Sequence, residues 1–428
     1  MEQLKSLLCE GVTPSHVIAY MKQELLKNHY TELNLEEDWI LEENKKYYVN
    51  LYGTNGLAFC VGKGLDKRLS FRIGMAHSDY PCFQLKPEFD IHVKNGIHGV
   101  TKWNVEIYGG MYQKSWLDRP LGVAGKVIVK GENPFNPKTL LYRSDKALAI
   151  IPSLAIHMDR ELNKKGALDT AKELVPIASL SDEGDLIKEI AISLKIEKED
   201  IIDYDLFLYN MQQPELVGLD QSMLSAPRLD NLSSVGALLS AFCDMPDDSV
   251  SVPVNTVDVM VVFDNEEVGS LSKQGADSQL LSMILNRIGN ALIKDFSLDN
   301  VMNNAFMLSV DVAHGHHPNY EEKSDATNKA YLGSGFAIKR SVGQKYGTTA
   351  ETAAVIKQLC DREHIPYTIA INKTGIAGGS TLGPIVTSHL PFPCGDIGMP
   401  ILAMHSATEL GAVSDYDALK RVIGAFFE

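Results

Sequence analysis

From Asp230 onward, short runs of apolar residues alternate with amphipathic stretches, and this alternation constrains the fold more than any other feature of the chain. LSSVGALLSAF (232–242) spaces its apolar residues as a helix does, whereas TVDVMVVF (256–263) is short and almost wholly apolar. QLLSMILNRIGNALIKDF (279–296) then reads as helix and AFMLSV (305–310) as strand. TAETAAVIKQLCDR (349–362) reads as helix, PYTIAI (366–371) and PILAM (400–404) as strands, and the last dozen residues as helix. A strand that is apolar on both faces must be covered on both. The expected class is therefore α/β, a mostly parallel sheet sandwiched by helices.

Upstream of Asp230 the texture changes twice. The first thirty residues carry a helical apolar period, and KKYYVNLYG (45–53), LAFCVG (57–62) and RLSFRIGMA (68–76) read as strands. Between about 81 and 225 come short strands, turns and a charged helical piece, SDEGDLIKEIAISLKIEKED. This stretch interrupts the α/β pattern. The expected organisation is an α/β domain made of residues 1–80 plus 230–428, with a β-rich second domain, 81–229, inserted into it.

Composition excludes several classes. Forty Lys and Arg against fifty-five Asp and Glu give a formal charge of −15, the wrong sign for a general nucleic-acid binder. Six cysteines (Cys9, Cys60, Cys82, Cys243, Cys360, Cys394) are scattered without a CxxC, so neither a disulfide scaffold nor a cysteine zinc site is expected. The opening MEQLKSLLCEGVTP lacks the basic and apolar regions of a signal peptide. No run approaches the roughly 18–20 apolar residues that span a bilayer. A cytoplasmic protein with no membrane and no nucleic-acid partner is the expectation.

Ligands of open α/β sheets sit outside the carboxyl ends of the strands. The residues just past each apolar run are therefore informative. After RLSFRIGMA come His77, Ser78 and Asp79; after TVDVMVVF come Asp264, Asn265, Glu266 and Glu267. Asp311 follows AFMLSV, His405 follows PILAM, and Asp230 precedes the 232–242 helix. Taken singly, each is an ordinary loop, turn or cap residue. Their common placement at strand ends points to a metal centre.

His77, Glu267, Asp311 and His405 offer nitrogen and oxygen without sulfur, which suits zinc in a catalytic site, and Asp230 has two oxygens with which to bridge two ions. Glu266, next to a ligand without being one, is free to act as general base on zinc-activated water. Asp79 is placed to hold the second nitrogen of His77. His314, His316 and His317, in DVAHGHHPNY, are rival ligands.

The sequence resembles the aspartyl aminopeptidases, which are dizinc exopeptidases. GMAHSDYPCFQLKP (74–87), YGGMYQKSWLDRPLGVAGKVIV (108–129), SAPRLDNLSS (225–234), VVFDNEEVGSLSKQGADS (261–278), SVDVAHGHHPNY (309–320) and MHSATE (404–409) carry the likeness in order along the chain. The resemblance implies two Zn2+ ions per subunit held by His77, Asp230, Glu267, Asp311 and His405, with Asp230 bridging. It implies Glu266 as catalytic base with Asp79 beside the site. Three substrate-binding residues are implied as well: His157, reaching a neighbouring subunit's site; His317, near the substrate; and Lys339, near the pocket for an acidic side chain. The resemblance also implies a homododecamer built from dimers through the inserted domain.

The expected function is a metallo-aminopeptidase releasing single N-terminal residues, preferably Asp or Glu, from peptides with a free N-terminus. The alternatives are a related dizinc amide hydrolase, such as a carboxypeptidase or deacylase, and a non-catalytic assembly scaffold.

Overall fold

A computed structural model describes residues 1–95, 98–245 and 253–428. The described residues pack into two compact units. The first comprises Met1–Asp79, Pro214–Met404 and Glu409–Glu428; the second comprises Tyr80–Gln213 with His405–Thr408.

The first unit is built on a nine-stranded mixed sheet. Its centre is four parallel strands in the order Thr256–Phe263, Ser70–His77, Phe306–Val310 and Cys394–Gly398. On one side Asn55–Val61 adds antiparallel, followed by Lys46–Leu51 and Thr31–Leu33. On the other side Phe336–Lys339 runs antiparallel to Cys394–Gly398 and parallel to Tyr367–Ala370.

The strand Thr256–Phe263 shows why its sequence is apolar throughout. Val257, Val259, Val261 and Phe263 join one core with the helix Leu280–Leu292. Met260 and Val262 join the other, with the helices Leu229–Cys243 and Val413–Phe427. Successive side chains alternate between faces, and both faces are covered. Full burial of each such side chain contributes roughly 1.5–3 kcal/mol.

The strand ahead of His405 is a correction to the sequence reading. Pro400–Leu402 belongs to a separate five-stranded sheet with Glu409–Ala412, Met223–Ala226, Glu215–Val217 and Ala313–His314. The fourth parallel strand is Cys394–Gly398 instead, hidden in the sequence by its own two glycines and by the prolines around it in PFPCGDIGMP. Pairing of Met223–Ala226 with Glu409–Ala412 also returns the chain to the first unit at Pro214 rather than at 230.

The second unit carries a six-stranded antiparallel sheet ordered Lys138–Arg143, Leu121–Val129, Ile201–Asn210, Cys82–Asn95, His98–Tyr108 and Ile177–Ser179. Phe83 packs edge-on to Trp116 in its core, and the helix Leu186–Leu194 contributes Leu186 and Ile190. No helix among the described residues is long and apolar enough to cross a membrane.

Candidate metal centre

The parallel strands deliver their side chains to one edge of the sheet. His77 ends its strand and is buried. Asp311 follows Val310 and is held in line by its own N–H, which donates to Ile397 O at 2.9 Å. Gly398 is required beside it: a Cβ there would lie 1.7 Å from Asp311 O. Asp230 opens the helix Leu229–Cys243 through a cis peptide to Asn231, and its N–H donates to Glu409 Oε2 at 2.9 Å. Asn231 Nδ2 donates to Val310 O at 3.0 Å, tying that helix start to the Asp311 strand.

These placements bring His77 Nε2 to 3.6 Å from Asp230 Oδ1 and 3.7 Å from Asp311 Oδ1. One ligand atom from each of the three lies within 4.8 Å of the others, and the same holds for His77, Glu266 and Glu267.

The glutamates ride on a tight turn. After Phe263 the chain passes through Asn265 at φ +62°, a left-handed conformation asparagine tolerates, into the 3-10 turn Glu266–Val268. The leading N–H groups of such a turn have no partner within it. Asp79 supplies one: its Oδ1 accepts from Glu266 N at 3.1 Å and its Oδ2 from Glu267 N at 3.0 Å. Asp79 also meets the His77 ring, with Oδ1 at 3.3 Å and its backbone oxygen at 3.1 Å from Nδ1. A single carboxylate thus orients an imidazole and two glutamates.

The electrostatics reflect crowding. Burial pushes the Glu266 carboxyl up to about 7; His77 opposes this, and Asp311, Asp79 and Asp230 add to it. Burial alone would hold the His77 imidazole below its ordinary value, but Asp311 and Asp79 raise it well above. Asp311 is pushed up by burial, yet Lys339 and His77 hold it below the ordinary carboxylate range. Lys339 is buried, with Nζ 3.4 Å from Asp311 Oδ2 and 3.1 Å from Val312 O. Five acidic side chains around His77, offset by Lys339, leave buried negative charge that a dication would neutralise. The converging donors are nitrogen and oxygen without sulfur, so the set fits zinc of the catalytic kind.

His317 and Lys339 border a cavity of about 380 Å³ together with Lys323, Lys329, Lys373 and His316. The rival ligands are engaged there: His316 Nδ1 is 2.8 Å from Ser324 Oγ, and His317 Nδ1 accepts from Asn319 N at 3.2 Å. His157 is exposed in the second unit. His405, at φ +65°, is held by that unit too, with Nδ1 2.9 Å from Gly110 O and its own backbone oxygen accepting from Tyr112 N. Sequence reasoning missed Glu409, which the MHSATE segment contains but which no spacing sets apart. It also missed the Lys339–Asp311 pair, formed between residues 28 positions apart in the chain.

An α/β sheet presenting a histidine–carboxylate cluster at its strand ends defines a zinc-exopeptidase type of protein. Residues 7–427 match the family described as aminopeptidase I zinc metalloprotease (M18), and the chain belongs to that family, which includes the aspartyl aminopeptidases. It is a zinc-dependent aminopeptidase. A probable M18 family aminopeptidase 2 of Clostridium novyi is 38% identical over 431 residues, covering 99% of this chain and 98% of the relative. Its counterpart in Pseudomonas fluorescens is 34% identical, covering 97% and 95%.

Among solved structures, the Ape4 and Nbr1 complex matches with a TM-score of 0.93 at 28% identity, covering 99% of this chain and 84% of that one. The S. cerevisiae mApe1 dodecamer matches in fold with a TM-score of 0.86 at 24% identity, covering 100% and 95%.

Proposed function

We propose that this aminopeptidase uses two zinc ions per subunit to release single N-terminal residues, preferably Asp or Glu. The observation that carries the reading is the convergence of His77, Asp230, Asp311, Glu266 and Glu267, with Asp79 gripping both the imidazole and the glutamate turn. His77, Asp230, Glu267 and Asp311 would hold the metals, and the resemblance adds His405 as the remaining ligand. When bound, the metals supply Lewis acidity for the scissile carbonyl and for water. Glu266 then takes the proton of the attacking water and hands it to the leaving amine, a task suited to a carboxylate that sits among the ligands without being one of them.

The acidic preference draws its support from the cavity. Lys323, Lys329, Lys339 and Lys373 border it against one carboxylate, Asp325. That carboxylate, held down at about 2 by bonds from Asn328 and Thr327, keeps its single negative charge and leaves the four lysines in excess. The overall charge of −15 would repel acidic substrates at long range, but screening beyond about 8 Å leaves the local lysines to decide. His317 belongs to the same wall, and the resemblance implies that His157 serves a neighbouring subunit's site. A homododecamer built from dimers through the second unit, in the cytoplasm, completes the reading.

Hydrolysis rates on Asp-, Glu-, Leu- and Lys-terminated chromogenic substrates, with N-blocked controls, test it. Asp and Glu should lead, and blocked substrates should resist. Leu outrunning both would remove the acidic preference, and cleavage of blocked substrates would favour a deacylase.

A further inference from the structure

Lys339 stands where two functions meet. It ends the strand Phe336–Lys339, is 2% exposed and borders the basic cavity. Its ammonium nevertheless lies at ion-pair distance from Asp311 Oδ2, donates to the carbonyl of the next residue, Val312, and sits 5.1 Å from the centroid of the Tyr346 ring. The other oxygen of Asp311 is the one 3.7 Å from His77 Nε2.

A buried ammonium needs a compensating anion, and a buried carboxylate oxygen needs a donor. The nearby Asp396 carboxylate is already engaged, by Thr381 Oγ1 at 2.6 Å and Gly347 N at 2.5 Å. A lysine that swung fully to a substrate carboxylate would strip Asp311 of its partner.

We infer that Lys339 is a positioning residue for the metal ligand Asp311. By holding Oδ2 and the Val312 carbonyl it aims Oδ1 at the His77 side of the cluster, so one cation serves both the cavity and the ligand set. The inference rests on the metal-centre reading above and departs from a Lys339 that only reads the substrate side chain.

Zinc affinity of the metal-free protein, measured by chelator competition, separates the two roles when paired with kcat and KM on Asp- and Leu-terminated substrates. Lys339→Met should weaken zinc binding about 10–100-fold, the usual effect of removing a partner that orients a ligand. It should also lower kcat on Leu substrates as much as on Asp substrates, and Lys339→Arg should recover part of the zinc affinity. Wild-type zinc affinity in Lys339→Met, with loss confined to KM for acidic substrates, would overturn the inference. Lys339→Leu, smaller and equally unable to donate, carries the same comparison if the Met variant does not fold. Wild-type protein that binds no zinc would overturn the metal-centre reading itself, an outcome distinct from equal binding by wild type and variant.

Discussion

Glu266 and Glu267 are chemically identical neighbours, and only the direction each takes from the 3-10 turn can give them different work. Glu266→Gln keeps shape and volume, so folding and zinc content should be unchanged while kcat falls about 10²–10⁴-fold. Near-normal turnover with full zinc would remove Glu266 from the role of base. Asp79 provides a second test at this scale. An asparagine there offers one acceptor oxygen where two N–H groups now donate, and it turns an amide toward one of them. Asp79→Asn should cost about 10–100-fold in zinc affinity or turnover. Unchanged kinetics and metal content would show that the turn holds itself. The spacing His-x-Asp was legible in the sequence as an imidazole and its partner. The grip of Asp79 on the glutamate turn was not, because it joins residues 187 and 188 positions apart.

At the scale of elements, the helix Val413–Phe427 anchors a cavity wall. Asp415, in its first turn, accepts from Gly333 N and Gly335 N at 2.8 Å each. Both glycines have positive φ, +85° and +93°, which any other residue would strain to adopt. They lead into the strand that ends at Lys339. Burial pushes the Asp415 carboxyl up to about 6, with the two N–H bonds pulling it down. That value lies above the unfolded one of about 3.9, so the fold prefers the protonated form. The contribution is fully present below pH about 4, is lost as pH rises toward about 6, and is level above that. Asp415→Asn should therefore flatten this segment of the stability profile, measured as urea midpoints from pH 4 to 8. Parallel profiles for the two proteins would refute the assignment.

The long elements, such as Thr256–Phe263 and Leu280–Leu292, were readable because burial on two faces or on one stripe leaves a period in the sequence. Phe336–Lys339 and Cys394–Gly398 were not, since Gly333 and Gly335 crowd the start of the first, and Gly395, Gly398 and the neighbouring prolines interrupt or flank the second. PILAM was read as a strand feeding the main sheet. Nothing within five residues tells which sheet a strand will join.

For the whole molecule, the second unit presents an exposed apolar segment, with Leu154 at 48%, Ile156 at 43% and Met158 at 75% exposure, next to His157 in sequence. Contiguous exposed apolar residues mark interaction surfaces. If the unit assembles subunits as proposed, light scattering should give twelve chain masses, and Ile156→Glu with Met158→Asp should shift the particle toward dimers while leaving the monomer's melting temperature within a few degrees. A monomeric wild type would dismiss the assembly. Roots of the segment are fixed within the unit: Asp118 accepts from Ser153 N at 2.8 Å and from its hydroxyl at 2.6 Å. The variants therefore test the surface rather than its support.

The sequence by itself determined the sheet class, the interruption by a β-rich unit and the candidate ligands at strand ends. Each of these is written in local periodicity or in residue types next to one another. Only the tertiary structure decided which oxygen of Asp311 faces His77, which sheet precedes His405 and which carboxylate holds the glutamate turn. It also decided that Lys339, on an acidic chain, borders a basic cavity while paired to Asp311. Those are distances between residues far apart in the chain, set by how strands stack side by side, and a one-dimensional pattern holds no record of them.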